Sequence, residues 1–405
     1  MVEFKYGGDP FYDLQEAKDK KTIQKTDDDS SRTLGQLAMY ARDSFAHQHR
    51  THLFQLFIFG NEARFIRWDR GGALVSASFD FVEDSKFLVL FFWNYSYLTP
   101  VQRGWDMTVS PPMNDERESF SNAITEWIDS HGGTDQVAQQ FPGVESTLDP
   151  AYPVYKLTVT PQNLGCQQEL IIQRPFVMSH DVLGRSTRGY LALSLTENRV
   201  VFYKDGWRVD SRDIMSEGSA YRILADCAIE NTPTVLCAGD VVVDGVAHKT
   251  VSYRWARMVG ADWYIACSIL RPLLLHRIVQ PVAFPVQSLG NSKRFVRVLR
   301  DCLKAILQAF NAGILHRDIS IGNVMAMFDD NGKFIKGILN DWDHFGYVDV
   351  EKPPRSVRRS GTWPFMSIEL LEDPCKHHEI WDDLQSIFWV LLYGSCRFFR
   401  TRGTD

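Results

Sequence analysis

The segment spanning residues 312–346 constrains this chain more than any other. It holds His316-Arg317-Asp318, then Asn323 five residues after that aspartate, then a short apolar run ending in Asp341-Trp342-Asp343, with Asp341 23 residues beyond Asp318. A lone tripeptide of this kind arises by chance, but the three features at these spacings point to one built site. Asp318 can accept and orient the proton of an incoming hydroxyl. Asn323 and Asp341 offer oxygens of the kind a hard cation such as Mg²⁺ prefers, and Ile319 and Ile321 anchor the loop to the core. These are the parts phosphoryl transfer demands: charge neutralised and an acceptor oxygen placed in line. Asp343 reads equally as a supporting acid or as a solvated turn acid.

A chain of 405 residues is long for one hydrophobic core, so two or three structural units are expected. A net charge of -6 argues against a nucleic-acid partner, which calls for a basic surface. The seven cysteines contain no Cys-x-x-Cys pair, as expected of reduced thiols. No apolar signal-peptide core occurs in the first 30 residues, and "FLVLFFW" at 87–93 is far short of the roughly 20 residues that span a bilayer. The expectation is an intracellular protein, cytoplasmic or nuclear, without a membrane partner.

Residues 1–30 are charged and poorly patterned and are expected as a flexible tail. A helix follows, with Leu34, Leu37, Ala38, Ala41 and Phe45 on one face and Ser31 or Thr33 as its N-cap. "LFQLFIF", "ARFIRW" and "ALVSASFDF", separated by Gly/Asn turns, predict a meander of hairpins, and a further helix is predicted at 120–128. Together 31–150 predict a small α+β extension. His47, His49 and His52 match no zinc spacing and are expected as ordinary surface or core histidines. Beyond Pro150 the chain turns β-rich, with a helix at about 212–225. From about 292 it becomes helical, with Phe295, Leu299, Leu303, Ile306, Leu307 and Phe310 forming a stripe and Gly313 ending it. A β-rich part over 151–286 and a helical part over 287–405 predict two lobes with a cleft between them.

"IRWDRGGALV" (66–75), "VVFYKDGWR" (200–208), "GILHRDISIGNVM" (313–325), "NDWDHFG" (340–346), "SGTWPFMSIELL" (360–371) and "DDLQSIFWVLLY" (382–393) carry a resemblance. With them the chain resembles the eukaryotic protein-kinase superfamily, and most closely the fungal-type protein kinase family. The resemblance implies an α+β bilobal kinase-like fold behind an amino-terminal extension, using ATP and Mg²⁺. It implies that Lys204 grips the phosphates and pairs with Glu217, and that Gly184, Ser186 and Gly189 form a phosphate-cradling loop. It makes Asp341 and Asn323 the metal ligands and Asp318 the catalytic base. Glu369 becomes a structural pairing acid and Asp383 a buried acid bracing the catalytic loop. The helix after Asp383 is apolar all round, as expected of a segment buried on every side.

Two departures stand out. Ser320 occupies the place where most serine/threonine kinases carry a phosphate-binding lysine, so a slower enzyme or a compensating cation is implied. The chain also stops soon after the central helix, so the helical lobe reads as incomplete. Ser356 and Ser360, beside Arg355, Arg358 and Arg359, are candidate targets of an activating kinase that would dock a phosphate on Arg317. The leading expectation is a serine/threonine kinase acting on a protein substrate. The alternatives are a small-molecule kinase of the aminoglycoside or choline type, and a catalytically weak kinase-like scaffold.

Overall fold

The computed structural model describes all residues except 6–7, 163, 180, 212–213, 255–270, 330–331, 349–360, 374 and 399–405. The fold is α+β. Its front is a five-stranded sheet in which Val2–Lys5 pairs parallel with His52–Phe59, followed by antiparallel Glu62–Asp69 and Gly72–Val75, with Phe79–Asp80 also on Glu62–Asp69. The helix Asp28–His47 lays Leu37, Ala41 and Phe45 onto Phe57, Ile66 and Trp68 of this sheet. Its N-cap is Asp27, whose carboxylate accepts from Ser30 N at 2.9 Å, so the helix starts before the expected Ser31 or Thr33.

The described residues of 1–30, a stretch expected as a flexible tail, are part of this front unit. They supply the edge strand, bury Phe11 and Ala17, and place Asp9 on the buried guanidinium of Arg64 at 2.7 Å. A charge inside a fold persists when it is paired and hydrogen-bonded, and this pairing fastens the segment down.

The second sheet has eight strands, and all its pairings are antiparallel. Its path runs from Cys237–Asp240 through Leu273–Gln280, Arg199–Val209, Arg188–Ser194, Gln168–Ile172 and Tyr155–Val159 to Val109–Ser110, with Val177–Met178 beside Arg188–Ser194. The helix Asn114–Ser130 packs Phe120, Ile124 and Ile128 onto Ile171, Leu191 and Leu193 of this sheet. The chain from Val109 is thus structurally joined to the second sheet, not to the front unit in which the sequence grouped it.

The helical half is built on Ser292–Asn311. Its buried face is Phe295, Val298, Leu299, Cys302, Ala305, Ile306 and Ala309. The seam runs through small residues that admit close neighbours, and Leu307, expected in the stripe, is exposed. The helix Ile380–Phe398 crosses it so closely that a Cβ on Gly394 would meet the Phe295 ring at 2.4 Å. That helix is not buried on every side as expected: Trp381, Phe388, Leu391, Leu392 and Tyr393 are exposed, because among the described residues only one flank packs on the core. No helix among the described residues is long and apolar enough to cross a membrane. The six described cysteines are free thiols.

Candidate active site

The site begins where the Ser292–Asn311 helix stops. Gly313 takes a left-handed φ of 77°, a conformation without steric cost for glycine, and turns the chain into the short strand Ile314–Leu315, paired with Gly346–Tyr347. The next two backbone N–H groups, of His316 and Arg317, donate to Asp383 Oδ2 and Oδ1 at 2.9 and 3.0 Å. Asp383 is buried, and its Oδ1 also receives His378 Nε2 at 2.8 Å. Asp383 therefore fixes the loop from the following helix, in the place expected for it.

His316 works as a spacer inside the loop. Its Nδ1 accepts from Asp318 N at 3.2 Å, so its Nε2 carries the proton and donates to Asn340 O at 3.0 Å. Burial, only partly offset by the nearby carboxylate of Asp383, lowers its pKa and keeps the ring neutral. Asn323 Nδ2 donates to Asp318 O at 2.8 Å, and Asn340 N donates to Asn323 O at 2.8 Å. With its nitrogen engaged, the Asn323 amide has its oxygen to offer a ligand. Asp318, Asn323 and the strand leading to Asp341 are thus one hydrogen-bonded unit.

Asp341 itself has a left-handed φ of 59°, which for a residue with a Cβ needs support from its surroundings. Tyr221 gives it: its hydroxyl accepts from Asp341 N at 3.0 Å and donates to Asn340 Oδ1 at 2.8 Å. Tyr221 was not singled out from sequence, although it lies four residues after Glu217 and so on the same face of the helix Glu217–Asp226. Lys204, on strand Arg199–Val209, meets Glu217 Oε2 at 2.9 Å and Asp341 Oδ1 at 3.1 Å. Burial works against the Lys204 charge, but Asp341 and Glu217 outweigh it and raise the pKa. Burial likewise opposes the Asp341 charge, yet Lys204 and Arg185 hold its carboxyl at about 2.

Lys204 and Asp341 belong to the polar lining of a cavity of about 560 Å³ that also takes in Asp318, Asn323 and Gly189. The apolar part of the lining is formed by Phe141, Phe176, Phe202, Val282, Met325 and Ile338. Gly189 admits that wall, because a Cβ there would press on the Phe202 ring and Val177 at 3.0–3.1 Å. Phe141 belongs to the stretch the sequence assigned to the amino-terminal extension, and nothing in its local pattern marked it as a cavity residue.

The turn between Val177–Met178 and Arg188–Ser194 sets the residues of the expected phosphate cradle apart, with Gly189 on the cavity. Gly184 and Ser186 do not line the cavity. Gly184 N donates to Arg70 O at 2.7 Å, and Ser186 Oγ donates to Asp181 O at 3.0 Å while its side chain is buried toward the front unit. The residues between and after them, Arg185 and Thr187, line it instead. Arg185 forms an ion pair with Asp343 and places Nη1 3.4 Å from His344 Nε2. Asp343 is therefore a paired acid at the site, not a solvated turn.

Oxygen donors dominate the polar lining. Carboxylate oxygens of Glu217, Asp341 and Asp343 lie within 4.8 Å of one another, the one such group among the described residues. With the Asn323 amide on the same cavity as Asp341, this set fits a hard cation such as Mg²⁺. His47, His49 and His52 form no metal group; His49 Nδ1 accepts from the buried Arg188 at 3.1 Å. Glu369, expected as a structural pairing acid, is largely exposed and 3.5 Å from Lys376; the buried partner of that lysine is Asp382, at 2.8 Å. Ser356, Ser360 and the neighbouring arginines lie outside the described residues.

A family model described as fungal protein kinase matches residues 15–395, most of the chain. The chain belongs to the fungal protein kinase family. That membership makes it a kinase-type phosphotransferase, and it covers the front unit, both sheets and the helical half alike. A comparison with curated proteins finds no match.

Proposed function

We propose that this member of the family is a bilobal ATP- and Mg²⁺-dependent protein serine/threonine kinase, with Asp318 as the catalytic base. One observation carries the reading: a single cavity is lined by Asp318, Asn323, Asp341 and Lys204 together with the apolar side chains of Phe141, Phe176, Phe202, Val282, Met325 and Ile338. The apolar lining suits an adenine ring, and the cavity volume falls in the range of small-molecule sites, ~300–1,000 Å³. Lys204, kept charged by Glu217 and Asp341, is the cation for the phosphate chain. Asn323 and Asp341 are the residues that would hold Mg²⁺, which supplies neutralisation of phosphate charge.

Asp318 Oδ1 is engaged by the Thr362 N–H and hydroxyl, each at 2.8 Å. That leaves Oδ2 to take the acceptor's proton. As the bond from the acceptor oxygen to the terminal phosphorus forms, the bond from that phosphorus to the bridging oxygen of ADP breaks, and the hydroxyl proton passes to Asp318. The Thr362 contact supports a protein acceptor, since it joins the base to the segment leading into the helix Ile368–Glu372, a platform beside the reacting hydroxyl. Phosphorylation of Ser356 or Ser360 by another kinase is the proposed activating step. Its check is the Ser356→Ala, Ser360→Ala double variant, which should lose the activation.

The test is transfer from labelled ATP with Mg²⁺ to a panel of serine/threonine proteins and, in parallel, to aminoglycosides and choline. Label on protein hydroxyls is expected. Label on the small alcohols alone would replace the protein-kinase reading with a small-molecule one, and absence of Mg-ATP binding would leave only a scaffold.

A further inference from the structure

The catalytic loop lacks a cation at Ser320, which is buried and does not line the cavity. Phosphoryl transfer concentrates negative charge on the terminal phosphate, so another cation has to answer it. Among the described residues lining the cavity, only Lys204 and Arg185 are lysine or arginine. Lys204 already serves two carboxylates, at 2.9 and 3.1 Å. Arg185 is on the phosphate-side turn, directly across from the segment Asp341–His344, and its side chain is 46% exposed, so the guanidinium is not locked into the core.

Its direction is set by its neighbours. Gly184 is tied to the Arg70 carbonyl, Ser186 faces the front unit, and the Arg185 carbonyl accepts from Trp207 N at 2.7 Å. With the residues on either side turned away, Arg185 is delivered to the cavity. A planar guanidinium matches a carboxylate and a phosphate equally well, since both present paired oxygens to its fork.

We propose that Arg185 is the cation that contacts the terminal phosphoryl group of the nucleotide, in place of a catalytic-loop lysine at Ser320, and that Asp343 holds it in position until phosphate oxygens take over. The proposal rests on the phosphotransfer reading of the same cavity. During transfer Arg185 neither gains nor loses a proton. It contacts the non-bridging oxygens while the bond to the acceptor oxygen forms, the bond to ADP breaks, and Asp318 takes the proton. Arg185 is thus a catalytic residue in the strict sense of touching the reacting group.

The experiment measures binding and transfer separately, on the full chain with Mg²⁺, using ADP, a non-hydrolysable ATP analogue and labelled ATP. Arg185→Ala and Arg185→Gln are compared with wild type, and thermal melting confirms that each variant folds. Expected is an ADP affinity within about twofold of wild type, a loss of about 10- to 100-fold in affinity for the triphosphate analogue, and transfer slower by about 10³-fold, the scale of an arginine acting on a transferring phosphoryl group. Arg185→Lys should recover part of the rate, because it keeps the charge and loses the fork. An unchanged triphosphate-to-diphosphate preference and rate in both neutral variants would overturn the assignment, as would equal losses for ADP and the analogue. If wild type itself binds neither nucleotide, the phosphotransfer reading falls and this inference with it; a failure confined to the Arg185 variants leaves that reading intact.

Discussion

Arg70 is a test of how the front unit supports the site. Its Nη1 donates to the carbonyls of Val182 and Asp181 at 3.0 and 3.3 Å, and its guanidinium lies 4.3 Å over the Phe45 ring. Hydrogen bonds from a charged donor contribute about 1.5–3 kcal/mol each, and the cation–π contact about 1–2 kcal/mol more. Set against them is burial. Together with the neighbouring Arg188 charge it pulls the Arg70 pKa down to about 9, which from the ordinary value of about 12.5 amounts to about 5 kcal/mol for keeping the group charged. The two sides nearly cancel, so Arg70→Met should change global stability by no more than about 2 kcal/mol. The loop is affected differently. This substitution would leave the Gly184 N–H bond to the backbone in place but release the carbonyls of Asp181 and Val182, so nucleotide would have to order the turn itself. Losing about one charged hydrogen bond of preorganisation predicts nucleotide affinity lower by about 10- to 100-fold, at about 1.4 kcal/mol per tenfold. Urea unfolding gives the first quantity and calorimetric titration with Mg-ADP the second. A variant that loses more than about 4 kcal/mol of stability while binding Mg-ADP like wild type would make Arg70 a prop of the fold and not of the turn.

Other outcomes follow from the same structure. Phe141→Leu, which removes a ring packed 5.1 Å from Phe284, should cost about 1–1.5 kcal/mol of stability and weaken Mg-ADP binding several-fold, measured by the same titration; unchanged affinity would remove Phe141 from the nucleotide wall. His49 is buried beside Arg188, and burial with that charge holds its pKa at about 3 against about 6.5 in the unfolded chain. The unfolded state therefore protonates first on acidification. The stability contributed by neutral His49 is complete above pH ~6.5 and is lost toward pH ~3, the loss reaching about 3 kcal/mol by pH ~4. Urea midpoints between pH 7 and 4 should fall more steeply for wild type than for His49→Gln, and parallel slopes would contradict this.

The parts of the site legible in the sequence are those whose chemistry is local. Asp318, Asn323 and Asp341 declare themselves because the base and cation-holding oxygens proposed here would have to sit at fixed spacings on one loop and one strand end. Lys204 and Glu217 also meet as the family pattern implies. Parity in a turn is less visible: Gly184 and Ser186 looked like the cradle, but a partner outside the motif, Arg70, decides that Arg185 and Thr187 face the cavity. Long-range pairing likewise defeats composition at the amino terminus, where the Asp9–Arg64 contact orders a stretch whose charge suggested disorder. In the helix Ile380–Phe398 the apolar pattern named a buried segment, whereas burial depends on which neighbours pack on each flank.

Phosphate transfer in the cavity with Asp318 as base is the proposal that a single substitution tests most directly. Asp318→Asn keeps the size of the side chain and an acceptor for Thr362 while removing the group that takes the proton. The direct measurement is single-turnover transfer from labelled Mg-ATP to the hydroxyls of a protein acceptor, alongside Mg-ADP affinity, in wild type and this variant. Expected is transfer lower by about 10²- to 10⁴-fold with Mg-ADP affinity within about threefold of wild type. Transfer at the wild-type rate in Asp318→Asn would contradict the proposal.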